Sequence, residues 1–358
     1  MPSAWRRGLL TGLLACGLAA CAANEDARLP ASAQPGAAGQ SVPAASAVAD
    51  TPRPAPIALR FGLNTVTANL ASIWVAKEEG FFLKYGLDPE LVPIPGAERI
   101  IGALLSGEVP ITTLAPTSVI NAALNDIHIQ FIGAYSNKLR FWLYAQSEIA
   151  AVPDLRGKQV AVTGRAGIVQ RTTALILERY GMDADQDVTL IATGNVANSL
   201  QALLGGAVSA GLLSPPATFR AEDAGLHLLV DTTDWGLPGL SGVAARRDWI
   251  AANEPVARGA VEALAEGLAF LHRDKESTKQ IIGKYTQNDD PQLLERTYDA
   301  MLPGWERYPY VSLDAVRQEI DWLVEEQPAA ADLRAEQFVD NRFVDELDRA
   351  GFLQRLYP

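Results

Sequence analysis

The feature that most constrains this chain is an alternation of short apolar strands and amphipathic helices, which begins near Ile57 and then recurs. The first round predicts strands at 58–63, 90–93, 111–114 and 127–134, separated by helices at 70–84, 97–106 and 117–124. About 99 residues later the order returns, with strands at 158–162, 188–191 and 212–213 and helices at 167–180 and 196–204. Strands joined by helices of this length form parallel βαβ units. The pattern therefore predicts an α/β protein with two doubly wound lobes.

Two local matches support a repeat of the pattern. Seven of eighteen positions are identical between Ala103–Ile120 and Ala202–Phe219, and the sequence at Tyr85–Asp88 resembles that at Tyr180–Asp183. An alternative is that both segments share only the ordinary helix ending, a glycine after an apolar helix. The order of strands and helices repeats under either explanation.

The repeat predicts how the chain divides into lobes and where a ligand would bind. Residues 57–140 together with 242–358 are expected to form lobe I, and 141–241 to form lobe II. Lobe I includes a helical C-terminal part, with helices predicted at 312–325 and 341–356 among others, and Leu313, Val316, Ile320 and Leu323 have the spacing of a core-facing helical stripe. Apolar runs at 141–145 and 242–245 are candidate crossovers. Doubly wound sheets bind ligands outside the carboxyl ends of their strands. The expected ligand cleft is therefore lined by the loops 64–69, 94–98, 115–118, 163–167, 193–198 and 214–217.

The first residues predict the compartment. Arg6 and Arg7 precede an apolar run, and Leu18-Ala19-Ala20-Cys21 resembles a bacterial lipobox, so residues 1–20 are expected to be a lipoprotein signal peptide. Cys21 would then be lipidated, although an ordinary secretory cleavage site is the alternative. Residues 21–56 are rich in Ala, Pro, Gly and Ser and contain no aromatic residue, which is typical of a disordered tether. We therefore expect a lipid anchor on the periplasmic or extracytoplasmic face of a bacterial membrane.

Composition excludes several function classes. The net charge of −12 makes nucleic acid a poor partner. Two Cys and three His leave little for zinc sites, disulfide frameworks or thiol catalysis, so no metal, cofactor or catalytic residue is predicted.

Several motifs resemble a known family, the substrate-binding proteins of nitrate, taurine and aliphatic-sulfonate (NitT/TauT-type) ABC importers. They are Trp74–Leu87, Ala103–Val109, Asp154–Val162 and Ala202–Val208, and the resemblance covers roughly residues 57–345. It implies a type II periplasmic-binding-protein fold, a lipoprotein that acts as a monomer, and delivery of a small solute to an ABC permease and its ATPase. Family members usually carry Asp after the Gly-x-Val step, where this chain has Pro110 and Ser209.

Helix starts at the predicted cleft suggest an anionic ligand. Free N–H groups and a partial positive charge at a helix N-terminus suit a sulfonate, carboxylate or nitrate oxygen. The candidates are Thr117, Ser118, Gly164, Arg165, Ala166 and Gly167, with Arg165 able to hold an anion through two hydrogen bonds. Ordinary N-capping explains the Ser and Thr residues equally simply.

Other candidates come from the remaining loops and from aromatic residues. The loops contribute Asn64, Thr65, Asn69, Gly96, Thr163, Asn195 and Ser214, and a strand end contributes Ser136 and Asn137. Trp74, Tyr135 and Trp235 could stack on a planar ligand, although core packing is the simpler role for Trp74.

These observations predict a solute-binding protein for a small, anionic or planar organic molecule. One alternative is an enzyme of pyrimidine (thiamine-precursor) synthesis on the same scaffold, which would need a reactive histidine among His128, His227 and His272. Another alternative is a ligand sensor that does not take part in transport.

Overall fold

A computed structural model describes residues 55–138, 140–164, 168–235 and 237–357. The strands in these ranges are Ile57–Leu63 (β1), Leu87–Pro93 (β2), Ile111–Leu114 (β3), Ile129–Lys138 (β4), Trp142–Ala145 (β5), Gln159–Val162 (β6), Thr189–Ala192 (β7), Ala210–Leu213 (β8), His227–Asp231 (β9) and Pro238–Arg246 (β10). The signal peptide, Cys21 and most of the tether predicted above lie outside the described residues.

Helices separate most of the strands and form the C-terminal part. They are Ala71–Glu78 (α1), Phe81–Lys84 (α2), Ala97–Ser106 (α3), Pro116–Ala123 (α4), Ile168–Arg179 (α5), Val196–Leu204 (α6), Ala217–Asp223 (α7), Arg247–Ala252 (α8), Glu254–Arg273 (α9), Lys275–Thr286 (α10), Pro291–Met301 (α11), Leu313–Glu326 (α12), Arg342–Arg349 (α13) and Phe352–Arg355 (α14). None of the described helices has the length and apolar character needed to cross a membrane.

The strands form two five-stranded sheets with the same layout. The first sheet has the order β2-β1-β3-β10-β4 and the second has the order β7-β6-β8-β5-β9. In each sheet the first three strands are parallel, and the fourth runs antiparallel to both of its neighbours. The antiparallel strands are β10 and β5, which are the two apolar runs predicted as crossovers. The α/β class and the repeated order are therefore confirmed.

Two predicted helices are each interrupted by a glycine. The segment 70–84 divides into α1 and α2 at Gly80, and the segment 341–356 divides into α13 and α14 at Gly351. Both glycines have left-handed backbone angles, with φ of 72° and 67°, which L residues with a side chain rarely adopt. The sequence pattern also missed β9 and α7, because neither has a clear apolar period.

Helices cover both faces of the first sheet. Ile132 of β4 packs in one core cluster with Trp74 of α1 and Leu264 of α9, and its neighbour Phe131 packs in another with Val316 of α12. Neighbouring residues of a strand face opposite sides of a sheet, so α9 and α12 lie on opposite faces. The predicted core stripe of α12 is confirmed, since Val316, Ile320 and Leu323 are buried and Leu313 packs against them.

Candidate functional site

A cavity of about 230 Å³ takes its lining from residues of both sheets and from helices packed on them. Thr67 and Asn69 follow β1, and Ala115–Thr117 follow β3. From the second sheet, Ser214 and Pro215 follow β8 and Ile168 begins α5 after β6. The strand ends expected to face a ligand in doubly wound sheets therefore meet at one cavity.

Glu319 of α12 is a buried acidic residue at this cavity, with 5% of its surface exposed. Its Oε1 accepts a hydrogen bond from the hydroxyl of Thr117, at the start of α4. A carboxylate near a helix N-terminus is stabilised by the partial positive charge there. The Thr117 hydroxyl, which the sequence suggested as a donor to an anionic ligand, is thus bound to a carboxylate of the chain itself.

Two cationic side chains also line the cavity. Lys138 at the end of β4 is exposed, and Arg140 is half-buried. Arg140 donates through Nη1 to the carbonyl oxygen of Ala300, and its guanidinium lies 5.4 Å from the ring centroid of Trp142. Burial lowers the pKa of Arg140 from its ordinary value. The Nη1 of Arg140 therefore holds the C-terminal turn of α11 in place.

A second polar group lies beside the cavity at the strand ends of the first sheet. The Asn64 backbone N–H donates to Thr113 Oγ1 over 3.0 Å, and Thr113 Oγ1 donates to Asn64 Oδ1 over 2.8 Å. Tyr135 is buried here, and burial raises the pKa of its hydroxyl, an effect partly offset by hydrogen bonds with Ser241 and Thr113. Asn64 and Tyr135 are outside the cavity lining; of this group, Ser241 reaches it.

The structure corrects the expectation for two aromatic candidates. Trp74 is fully buried and stacks on Tyr285, with ring centroids 4.8 Å apart, so it is a core residue and has no surface for a ligand. The guanidinium of Arg179 lies 4.3 Å from the ring centroid of Trp235, and Trp235 is not among the residues that line the cavity. The argument for a stacked planar ligand therefore loses these residues.

The other sequence candidates divide into three groups. Asn69, Thr117, Ser214 and Ser136 line the cavity. Outside its lining lie Thr65, Gly96, Ser118, Asn137, Thr163, Gly164 and Asn195. Asn195 caps α6 by accepting from the Asn198 backbone N–H over 2.8 Å, and Asn137 holds the backbone of Tyr310 and Ser312. Arg165, Ala166 and Gly167 lie outside the described residues.

Sequence reasoning missed several cavity residues, of which Glu319 is the most informative. It follows Val316 by three residues and precedes Ile320 and Leu323 by one and four, so it lies on the buried stripe of α12. An acidic residue within an apolar helical stripe was a signal that could have identified it. Lys138, Arg140 and Ser241 had no comparable signal.

Direct contacts join helices that pack beside the two sheets. Arg296 of α11 donates to Glu222 and Asp223 of α7, and its guanidinium lies 4.5 Å from the ring centroid of Phe219. On another helix pair, Arg171 of α5 donates to the carbonyl oxygen of Trp322 on α12 over 2.6 Å. These contacts hold the second sheet against α11 and α12.

The histidines lie elsewhere. His128 is exposed and lies in a separate pocket, His227 is at the start of β9, and His272 is half-buried beside the carbonyl oxygen of Glu306. None of them belongs to the described lining of the main cavity. Across the described residues, no three His, Cys, Asp or Glu side chains cluster as a metal site would require.

Comparison with known proteins gives a family and a fold. A family model described as NMT1/THI5 like matches residues 67–278, more than half of the chain. YtlA of Bacillus subtilis (strain 168), provisionally named a binding protein, is 21% identical over 267 residues, which cover 70% of this chain and 76% of YtlA.

Solved structures share the whole architecture at low identity. The periplasmic nitrate-binding protein NrtA from Synechocystis PCC 6803 has a TM-score of 0.69 at 14% identity and covers 85% of this chain and 91% of its own. The periplasmic aliphatic sulphonate binding protein SsuA from Escherichia coli has a TM-score of 0.62 at 20% identity, covering 77% and 94%. These likenesses show the two-lobed periplasmic-binding-protein fold that the resemblance implied.

Proposed function

The chain belongs to the NMT1/THI5-like family, of the nitrate, taurine and sulfonate type, and on that premise we propose that it captures a small organic solute between two lobes and delivers it to an ABC importer. The observation that carries this proposal is that loops at the strand ends of both sheets line one and the same cavity. Loops such as Ala115–Thr117 and Ser214–Pro215 would then close on the same molecule.

Closure of the two lobes around the solute would signal to the permease that a solute is bound. A solute that touches both sheets binds the closed form better than the open form and so shifts the population towards closure. The proposed lobes follow the two sheets and are residues 57–140 with 238–358 and residues 141–237; the boundary expected at 242 moves because β10, a strand of the first sheet, begins at Pro238. The names of the nitrate-binding and sulphonate-binding structures support an importer component of this kind.

The proposed location is the extracytoplasmic face of a bacterial membrane. The basic flank, the apolar run and the position of Cys21 support a lipid anchor, with residues 21–56 as the tether between membrane and lobes. Two or three acyl chains would anchor such a protein firmly, because each buried CH₂ contributes about 0.8 kcal/mol.

A binding role is favoured over catalysis on this scaffold by the position of the histidines. An enzyme that consumes or uses a histidine would need one at the cavity, and His128, His227 and His272 are absent from its described lining. If incubation with pyridoxal phosphate and iron changed the mass of one of these residues, the enzyme alternative would replace the binding proposal.

The test of the proposed function is ligand-induced closure. Protein lacking residues 1–21 should show a higher melting temperature and a smaller radius of gyration with at least one member of a broad panel of small solutes. Native mass spectrometry of freshly purified protein should detect a small molecule bound to it.

A matched pair of variants links binding to the cavity. Ala115→Phe places a ring in the cavity lining, just before α4. Ala123→Phe places a ring at the C-terminal end of α4, outside that lining. We expect the first to abolish the solute response and the second to retain it. Failure of every solute to alter the wild-type protein would remove support for transport.

A further inference from the structure

Lys138 and Arg140 place two positive charges in the cavity lining, on the segment that crosses from the first sheet to the second. Lys138 ends β4, and Arg140 lies between β4 and β5. Both residues also line a neighbouring pocket together with Asp234. A solute that contacts this segment touches the chain where the two proposed lobes are joined.

The protein uses only part of the guanidinium of Arg140. Its Nη1 donates to the carbonyl oxygens of Ala300 and Met301. Its Nε is buried without a hydrogen-bond partner. In the described part of the molecule Nη2 has no partner either, and unlike Nε it is not buried. A bound solute can therefore reach Nη2 as a donor.

The side chain of Arg140 is packed on two sides. Its guanidinium lies 5.4 Å from the ring centroid of Trp142. A Cβ at Gly304 would lie 2.8 Å from Cδ of Arg140, so glycine at this position leaves the space that the arginine occupies. A donor that is already held in place loses less conformational entropy when it binds a ligand.

The two cations do not form ion pairs with the protein. Across the residues that the structure describes, neither Lys138 nor Arg140 pairs with an acidic side chain, Glu319 included. Burial lowers the pKa of Arg140, and the charges of Asp231 and Asp234 offset this effect only in part. An anion beside the guanidinium would compensate for the solvation that burial removes.

From these observations we infer that Lys138 and Arg140 are specificity-determining residues of the cavity and bind an anionic oxygen group of the solute, such as a carboxylate. The inference rests on the proposed function, since it names the class of solute that the cavity takes. Apolar lining residues, among them Phe141, Leu240 and Met301, cover the rest of the solute. The charged contact lies on the crossover segment, whereas the sequence suggested helix starts.

Benzoate, benzamide and benzamidinium test the inference, because they carry an anionic, a neutral and a cationic group on the same ring. Isothermal titration calorimetry with the full chain in mild detergent should rank benzoate first and benzamidinium last. The benzoate affinity should also fall as sodium chloride is raised, because salt screens the exposed ammonium of Lys138. The benzamide affinity should not change with salt.

Two substitutions remove the charges one at a time. Arg140→Gln should weaken benzoate by about tenfold to a hundredfold and leave benzamide unchanged. A purely structural role of Arg140 would weaken both compounds alike. Arg140→Lys keeps the charge and should retain part of the benzoate affinity. Lys138→Gln changes an exposed residue and should weaken benzoate to a smaller extent.

Arg273→Gln is the matched control. The guanidinium of Arg273 lies 5.7 Å from the ring centroid of Phe270, and the residue is exposed and outside the cavity lining. The substitution should leave all three affinities unchanged. If Arg140→Gln does not fold, as judged by its melting curve, Lys138→Gln and the wild-type ranking decide the question.

Four results would each overturn the inference: no measurable benzoate binding to the wild type, a wild-type preference for benzamide or benzamidinium, equal benzoate affinity in wild type and Arg140→Gln, or an equal loss of benzoate and benzamide in that variant. The proposed function would survive these results, because solute-induced closure with a neutral or cationic compound tests it separately.

Discussion

Arg296 of α11 donates a 3.0 Å hydrogen bond to the carboxylate of Asp223 on α7, so a helix packed beside the first sheet is tied directly to one of the second. The same guanidinium donates to Glu222, which in turn accepts from the hydroxyl of Tyr144 in β5. Burial acts to lower the pKa of Arg296, but the hydrogen bonds to the two acids and their negative charges together raise it above its ordinary value. The hydrogen-bonded side chains of Arg296, Glu222 and Tyr144 thus connect α11 to a strand of the second sheet.

This relationship predicts that Arg296→Ala favours the open form. The ion pairs are partly exposed, and together with the stacking on Phe219 they contribute about 1 kcal/mol. That energy corresponds to roughly a fivefold change in the ratio of closed to open molecules. Small-angle scattering of the protein without added solute should show a larger radius of gyration for the variant.

Arg342→Ala is the matched control for this effect. Arg342 pairs with Glu254 and Asp340 and lies 4.6 Å from the ring centroid of Phe343, yet all four residues belong to helices and loops beside the first sheet. It should leave the radius unchanged. Equal radii for wild type and Arg296→Ala would show that the contact does not hold the sheets together.

The two hydrogen bonds between Thr113 and Asn64 predict a measurable contribution to stability. Thr113→Val keeps the shape of a fully buried side chain but removes the hydroxyl that both accepts from and donates to Asn64. The backbone N–H of Asn64 then loses its acceptor, and we expect the free energy of unfolding to fall by about 1–3 kcal/mol. Urea unfolding measures the change.

A double-mutant cycle with Asn64→Ala isolates the pair. The two substitutions together should cost less than the sum of their separate effects, because each removes the hydrogen bond from Thr113 Oγ1 to Asn64 Oδ1, whereas the bond from the Asn64 backbone N–H is lost only in Thr113→Val. Strict additivity would indicate that the two side chains act independently and that Asn64 is available for another partner.

The strand-end candidates illustrate how far the sequence predicts the site. The alternation of strands and helices in the sequence was enough to predict that Asn69, Thr117 and Ser214 meet at one cavity, because the carboxyl ends of parallel strands lie at the same edge of a sheet. Asn64 met the same criterion and lies outside the lining, since its side chain is bound to Thr113, 49 residues away. A turn sequence does not reveal such competition between partners.

The largest omissions came from segments distant along the chain. Glu319 meets Thr117 across 202 residues, and Arg140 reaches the carbonyl oxygen of Ala300 across 160. Helical periodicity predicted that α12 packs on the core, which is confirmed, but not which surface it contacts. Trp74 shows the reverse case, because it was kept as a stacking candidate although core packing was the simpler role, and its ring stacks within the core on Tyr285.

The close approach of Gly267 on α9 to Ser72 on α1 predicts that a larger residue at position 267 destabilises the packing of these two helices. A Cβ at this position would lie 2.2 Å from the backbone oxygen of Ser72, so Gly267→Ala forces the two helices apart. Overpacking of this kind costs about 1–3 kcal/mol or more, and urea unfolding should show a corresponding loss of stability.

Gly102→Ala provides the matched comparison in another helix. A Cβ at Gly102 of α3 meets no atom within 4 Å, so the substitution should stabilise the protein by about 0.5–1 kcal/mol through helix propensity. Similar losses in both variants would mean that α1 and α9 are not as close as the structure places them.

His272 predicts a pH dependence of stability. Burial lowers the pKa of this histidine from its ordinary value of 6.5, an effect opposed by the backbone carbonyl oxygens of Glu306 and Trp305 and reinforced by Arg307. The unfolded chain therefore binds a proton at a higher pH than the folded chain does. The stability that neutral His272 contributes is fully present above about pH 6.5 and is lost as the pH falls through the lowered pKa.

The free energy of unfolding of the wild type should decrease between pH 7 and pH 5 more steeply than that of His272→Gln, because glutamine keeps a hydrogen-bonding side chain and does not titrate. Subtracting the two urea-unfolding curves removes the contribution of the carboxylates common to both proteins. If the two pH profiles run parallel, protonation of His272 does not differ between the folded and unfolded chains.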